Sequence, residues 1–105
     1  MPEFCTPFSV MHADRKLTGD ELLRAIRFMI AAEYEASQLY TQMAESIDHP
    51  LAKAVLLDIS EEELVHAGEF FRLLHELAPN EKELYASGAR EVEEMIAKLK
   101  AVGRK

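Results

Sequence analysis

Apolar positions recur at helical spacing along most of this chain. Between Thr18 and about Ser46, turning each residue by about 100° places Leu22, Ile26, Met29, Tyr40, Ala44 and Ile47 on one face. Thr18 and Glu21 have capping-box spacing, Thr18 accepting from a first-turn amide while Glu21 reaches back. The segment IDHP at 47–50 is a break, because proline is tolerated only in a first helical turn. A second helix is predicted from about Pro50 to Leu77, with Leu56, Ile59, Phe70, Leu74 and Leu77 on one face. APNE at 78–81 ends it and starts a third, shorter helix over 81–102, weakened near Gly88. Residues 1–17, with Pro2 and Pro7, read as an irregular arm. No segment has a β period, so the fold class is all-α and residues 1–105 form one domain.

Two helices of about 28 residues are each about 42 Å long at 1.5 Å per residue. Joined by so short a connection they form an antiparallel hairpin over 18–77. Heights on its two arms can then be compared by counting outward from Asp48. Glu33 and Glu63 each lie 15 residues away and so face one another at one level.

Both glutamates fall inside the apolar stripes. An ionised carboxylate there is costly unless a cation meets it. Glu35 lies about 200° round the same helix and reaches water. Glu63 opens the run ELVH, and His66, three residues on, shares its face. Two readings fit the trio. One is a carboxylate-bridged di-metal site in a four-helix bundle, which takes a Glu from each of two helices and a Glu-x-x-His from each of the others. One hairpin supplies half of that set, Glu33, Glu63 and His66, so a dimer would complete it. Oxygen and imidazole ligands suit iron or manganese, with zinc as a substitute. The other reading is a buried Glu33–His66 ionic contact, which would barely repay its desolvation. Tyr40, seven residues after Glu33, either hydrogen-bonds a ligand, or traps a radical, or is a core tyrosine. Glu61 and Glu62 lie off the stripe, and Glu62 is placed to orient the His66 imidazole.

Composition narrows the function classes. A net charge of −7 over 105 residues argues against a nucleic-acid footprint and fits attraction of cations. A single cysteine, Cys5, rules out an intrachain disulfide and a thiolate metal cluster, and a reducing cytoplasm is the default. No apolar run approaches the roughly 20 residues of a membrane span. The start, MPEFCTPFSV, lacks the basic region of a secretion signal. His12, His49 and His75 are expected at the surface. The third helix carries Val92, Met95, Ile96 and Leu99 on one side, a face suited to contact with other subunits.

AAEYEASQLYTQMAE followed by SEEELVHAGEFFRLL resembles the ferritin-like di-iron superfamily, the sharpest parts being Glu33-x6-Tyr40 and Glu63-x2-His66. Over about residues 18–100 the short form is most similar to encapsulated ferritins, half-length ferritin-like proteins housed in encapsulin nanocompartments. That resemblance implies a ferroxidase. Fe(II) would be oxidised by dioxygen at a di-iron centre between two subunits, within a homo-oligomer built as a ring of dimers, a decamer in this family. It serves iron storage or detoxification. Glu33, Glu63 and His66 would be the iron ligands, Tyr40 would sit beside them, and Glu35 matches an acidic position that leads iron inward. Ala32 and Leu39 depart from relatives that carry an acid and a tryptophan there. The final KAVGRK is not a hydrophobic cargo tag, so an encapsulin shell partner is implied by family form alone. Two alternatives stand beside this. One is a rubrerythrin-like peroxidase, although the chain lacks the C-x-x-C pairs of a rubredoxin domain. The other is a metal-free helical assembly module.

Overall fold

The computed structural model describes residues 15–103 as three helices: α1 (Gly19–Glu45), α2 (Pro50–Leu77) and α3 (Pro79–Gly103). Most of the arm expected at 1–17, with Cys5 and His12, lies outside the described residues. Among those described there is no strand, and no helix is long and apolar enough to cross a membrane. The all-α expectation holds.

The ends of the helices follow from local chemistry. The capping box at α1 forms as expected. Thr18 Oγ1 accepts from the Glu21 amide at 3.2 Å, and Glu21 Oε1 accepts from the Thr18 amide at 2.9 Å. The Arg15 guanidinium grips the same carboxylate in a two-pronged contact of 2.7 and 2.6 Å. That contact, then the Thr18 amide, brings the Glu21 pKa down from 4.5 to about 2. At the other end of α1, Ser46 closes the helix through its amide to the Met43 carbonyl at 3.0 Å and its hydroxyl to the Gln42 carbonyl at 2.7 Å.

Proline opens both α2 and α3, where its missing N–H costs nothing and its φ already suits the helix. His49 is exposed, as expected, and it also caps α2: its Nδ1 accepts from the Ala52 amide at 3.2 Å. Only Ala78 separates α2 from α3, its carbonyl accepting from Glu81 and Lys82. α3 runs unbroken through Gly88.

The chain divides into two compact units between Leu74 and His75. In the first, α1 and α2 pair antiparallel, with Tyr34 against Phe71, Glu33 beside His66 and Ser37 bonded to Ser60. Ile26, Ile30, Ala44, Ala67 and Leu74 are buried, together with Ser37 and Ser60. Met29, Tyr40, Ile47, Leu56, Ile59 and Phe70 are half-buried, so the phase of both stripes is as predicted. Leu22 and Leu77, within a turn of a helix end, are instead 41% and 45% exposed. In the second unit His75 departs from its expected surface place. It is half-buried, with its ring 5.7 Å from that of Tyr85. Along α3, Val92, Met95, Ile96 and Leu99 are exposed.

Candidate metal centre

Glu33 projects from the middle of α1, and Glu63 and His66 from the middle of α2. Helical spacing fixes the last two on one face, and antiparallel pairing brings the first to their level. His66 Nδ1 lies 3.5 Å from Glu33 Oε2 and 3.6 Å from Glu63 Oε2. One ligand-type atom from each of the three falls within 4.8 Å of the others. The glutamate side chains are largely withdrawn from water, 18% and 17% exposed, whereas the His66 side chain is 47% exposed.

Those separations are informative. An N–H···O hydrogen bond spans about 2.7–3.2 Å, so at 3.5 and 3.6 Å the imidazole is bonded to neither carboxylate. Two ligands held about 2.0–2.2 Å from one ion at ordinary angles are themselves about 3.0–3.6 Å apart. Glu33 Oε2 is inaccessible to solvent and has no hydrogen-bond partner. A buried carboxylate oxygen without a donor needs an explanation, and a cation among these three supplies one. The donor set, two carboxylates and an imidazole without sulfur, fits iron or manganese.

The remaining sequence-predicted residues lie close by without joining the trio. Tyr40 is half-buried on the same stripe and makes no hydrogen bond to the three among the described residues. Glu35 is exposed, as its phase requires. Glu62 is also exposed and forms no ion pair with His66 among the described residues; the carboxylates nearest that ring are Glu33 and Glu63. Sequence reasoning missed Ser37, Thr41 and Ser60, which bond across the seam one turn away. The count that paired the glutamates would have found them, since Ser37 and Ser60 lie 11 and 12 residues from Asp48.

With this geometry in place, the comparison with known families is decisive: the sequence pattern of Rubrerythrin matches residues 24–102. The chain belongs to the rubrerythrin family of ferritin-like proteins. Within it, the chain is 36% identical over 87 residues to a ferritin-like-encapsulin shell fusion protein of Pyrococcus furiosus, covering 83% of this chain and 25% of that protein. It is 40% identical over 67 residues to the encapsulin nanocompartment cargo protein EncC of Myxococcus xanthus, covering 64% of this chain and 52% of that one. The chain therefore spans a quarter to about half the length of these curated relatives. The crystal structure of the encapsulated ferritin domain from Pyrococcus furiosus superposes with a TM-score of 0.75 at 36% identity, over 82% of this chain and 88% of that one. The resemblance read from Glu33-x6-Tyr40 and Glu63-x2-His66 is borne out at the level of the family.

Proposed function

We propose that this rubrerythrin-family chain is a ferroxidase, taking Fe(II) as substrate at a di-iron centre that two copies complete. The observation that carries the reading is the half-set Glu33, Glu63 and His66, whose donor atoms are spaced for a shared ion and include a buried, unpaired carboxylate oxygen. A second copy would double it to four carboxylates and two imidazoles, the complement of a di-metal helical bundle. The partial exposure of His66 leaves the centre open on one side, where such a copy could close it. Exposed Leu39, Met43, Leu57, Leu64 and Val65 on α1 and α2 also favour burial against another chain.

In this reading Glu33 and Glu63 supply the negative charge that selects a divalent cation. His66 would contribute an imidazole nitrogen, Nδ1 being the one that lies near both carboxylates. Withdrawal of both carboxylates from water strengthens their hold on a cation. Bound Fe(II) supplies the redox chemistry: each ion gives up one electron, and two electrons with two protons take dioxygen to hydrogen peroxide. Glu35, exposed two residues after Glu33, is assigned to leading iron inward, and Tyr40 to the stripe beside the ligands. The two relatives, an encapsulin shell fusion protein and an encapsulin nanocompartment cargo protein, support a further step, that this chain is housed as cargo in an encapsulin-type shell. Assembly as a ring of dimers follows from the family resemblance alone.

Protein purified from iron-supplemented cells should carry about one iron per chain, two per completed bundle. It should consume dioxygen as Fe(II) is added. Iron-free protein from such cells would favour the assembly-module reading. Turnover with peroxide but not dioxygen would favour the rubrerythrin-like peroxidase, which the family match keeps in view.

A further inference from the structure

Three hydroxyls occupy the α1–α2 seam next to the carboxylates. Ser37 follows Glu33 by four residues, Thr41 follows Ser37 by four more, and Ser60 precedes Glu63 by three. Each therefore shares a helix face with a member of the trio, one or two turns away. Ser37 and Ser60 are buried, at 8% and 6% exposure.

Their hydrogen bonding closes completely at Ser60. Its Oγ donates to the Ser37 carbonyl at 2.8 Å. A hydroxyl has one hydrogen, so the contacts of Ser60 Oγ with Ser37 Oγ at 3.0 Å and Thr41 Oγ1 at 2.7 Å must be donations to it. One atom of α2 thus uses its donor and both lone pairs on α1. Apolar contact between helices is non-directional and fixes axial position weakly, whereas hydrogen bonds lose strength steeply with distance and angle. A slip of one residue moves a helix by about 1.5 Å along its axis. That would carry His66 and Glu63 away from Glu33 by most of a metal–ligand bond of about 2.0–2.2 Å.

We propose that Ser60, held by Ser37 and Thr41, is a positioning residue that fixes the register of α1 against α2 and so keeps Glu33 within one ion's reach of Glu63 and His66. The inference rests on the metal-centre reading above. It assigns the hydroxyls no contact with iron; they act through the backbone that carries the ligands.

Equilibrium titration of the full chain with Co(II), a stand-in that dioxygen does not turn over, tests it. The readouts are affinity, stoichiometry and ligand-field absorption, with helical content followed by circular dichroism. Ser60→Ala should keep its helices and its stoichiometry at saturation, but bind Co(II) about tenfold more weakly with an altered spectrum. Ser60→Thr, which restores the hydroxyl, should recover both. The double variant Ser37→Ala with Thr41→Val keeps the bond to the Ser37 carbonyl and should show a smaller loss. It also stands in if Ser60→Ala fails to fold. Wild-type affinity and spectrum in Ser60→Ala, or in the double variant where that is the one that folds, overturns the proposal. So does a loss that Ser60→Thr does not reverse. Glu63→Ala separates the two levels of failure. If wild type binds Co(II) no better than Glu63→Ala, the metal centre itself is wrong and the positioning role falls with it. If wild type binds, Glu63→Ala does not, and Ser60→Ala matches wild type, only the positioning role fails.

Discussion

Two polar trios interrupt the same apolar seam about one turn apart, and they differ in how completely they are satisfied. At Ser37, Thr41 and Ser60 the hub oxygen has its donor and both lone pairs occupied. At Glu33, Glu63 and His66 the closest approaches are 3.5 and 3.6 Å, and one carboxylate oxygen is buried with no partner. Uncharged hydroxyls are also far cheaper to bury than carboxylates. A polar cluster that closes on itself stabilises and orients the fold. One that stays open, with a buried carboxylate oxygen unmet, has donor atoms spaced to take a cation. The contrast matters more than either trio, because the same helices and the same seam produce both.

The largest expected effects come from dismantling the open trio. Glu33→Ala, Glu63→Ala and His66→Ala should each abolish metal binding, since in a symmetric dimer each change removes two ligands. Iron at wild-type stoichiometry in any of them would sink the assignment. The same site predicts a coupling between metal and assembly. A divalent ion that binds only the completed centre stabilises it by about 2.7 kcal/mol at a hundredfold excess over Kd. Sedimentation at low protein concentration should show wild type shifting to larger species when a redox-inert divalent metal is added, with Glu63→Ala indifferent to it. Full assembly of metal-free wild type at every dilution would remove the coupling.

A smaller effect, measured without metal, separates the trios more sharply. Ser60→Ala removes the hub of a satisfied network and should cost about 1–2 kcal/mol in urea unfolding. Glu33→Ala should cost nothing or stabilise the metal-free protein, because it deletes a largely buried carboxylate of which one oxygen has no donor to meet it. The reverse order, with Glu33→Ala the more damaging, would make Glu33 and His66 a structural ion pair and revive the alternative reading of the trio.

Much of this contrast was legible in the sequence, though unevenly. Glu33 stood out because a carboxylate is conspicuous among Ile26, Met29 and Ala44, and counting from Asp48 supplied its height relative to Glu63. Helix phase and hairpin pairing are set by local spacing and a short turn, and both are read directly. Ser37 and Ser60 were invisible by the same criterion, since a serine on a buried face looks like any small residue. Only tertiary pairing shows which hydroxyl meets which. Leu22 and Leu77 matched the stripe period but are exposed, because periodicity names a face and says nothing of where that face runs out of cover. The His75–Tyr85 ring contact joins the end of α2 to α3 across Ala78, a proximity that helix phase does not encode.

A third polar group, outside the seam, gives the smallest and most easily isolated effect. Glu21 sits at the surface in a closed arrangement, accepting from Arg15 and from the Thr18 amide. If closure, and not depth, is what makes a polar group structural, this cap should register in acid although water surrounds it. The sign follows from the pKa, which lies at about 2 in the folded chain against an ordinary 4.5. The contribution of Glu21 is therefore fully present above about pH 4.5 and is lost as pH falls through about 2. Arg15→Ala removes the largest cause of the depression while leaving the Thr18 amide in place, so it should move the Glu21 pKa part of the way back. An NMR titration of the Glu21 carboxyl in wild type and Arg15→Ala measures this directly, with metal binding at neutral pH unchanged as the control. A Glu21 titration near 4.5 in wild type would show that the Arg15 contact does not persist in solution, and closure at the surface would then count for little.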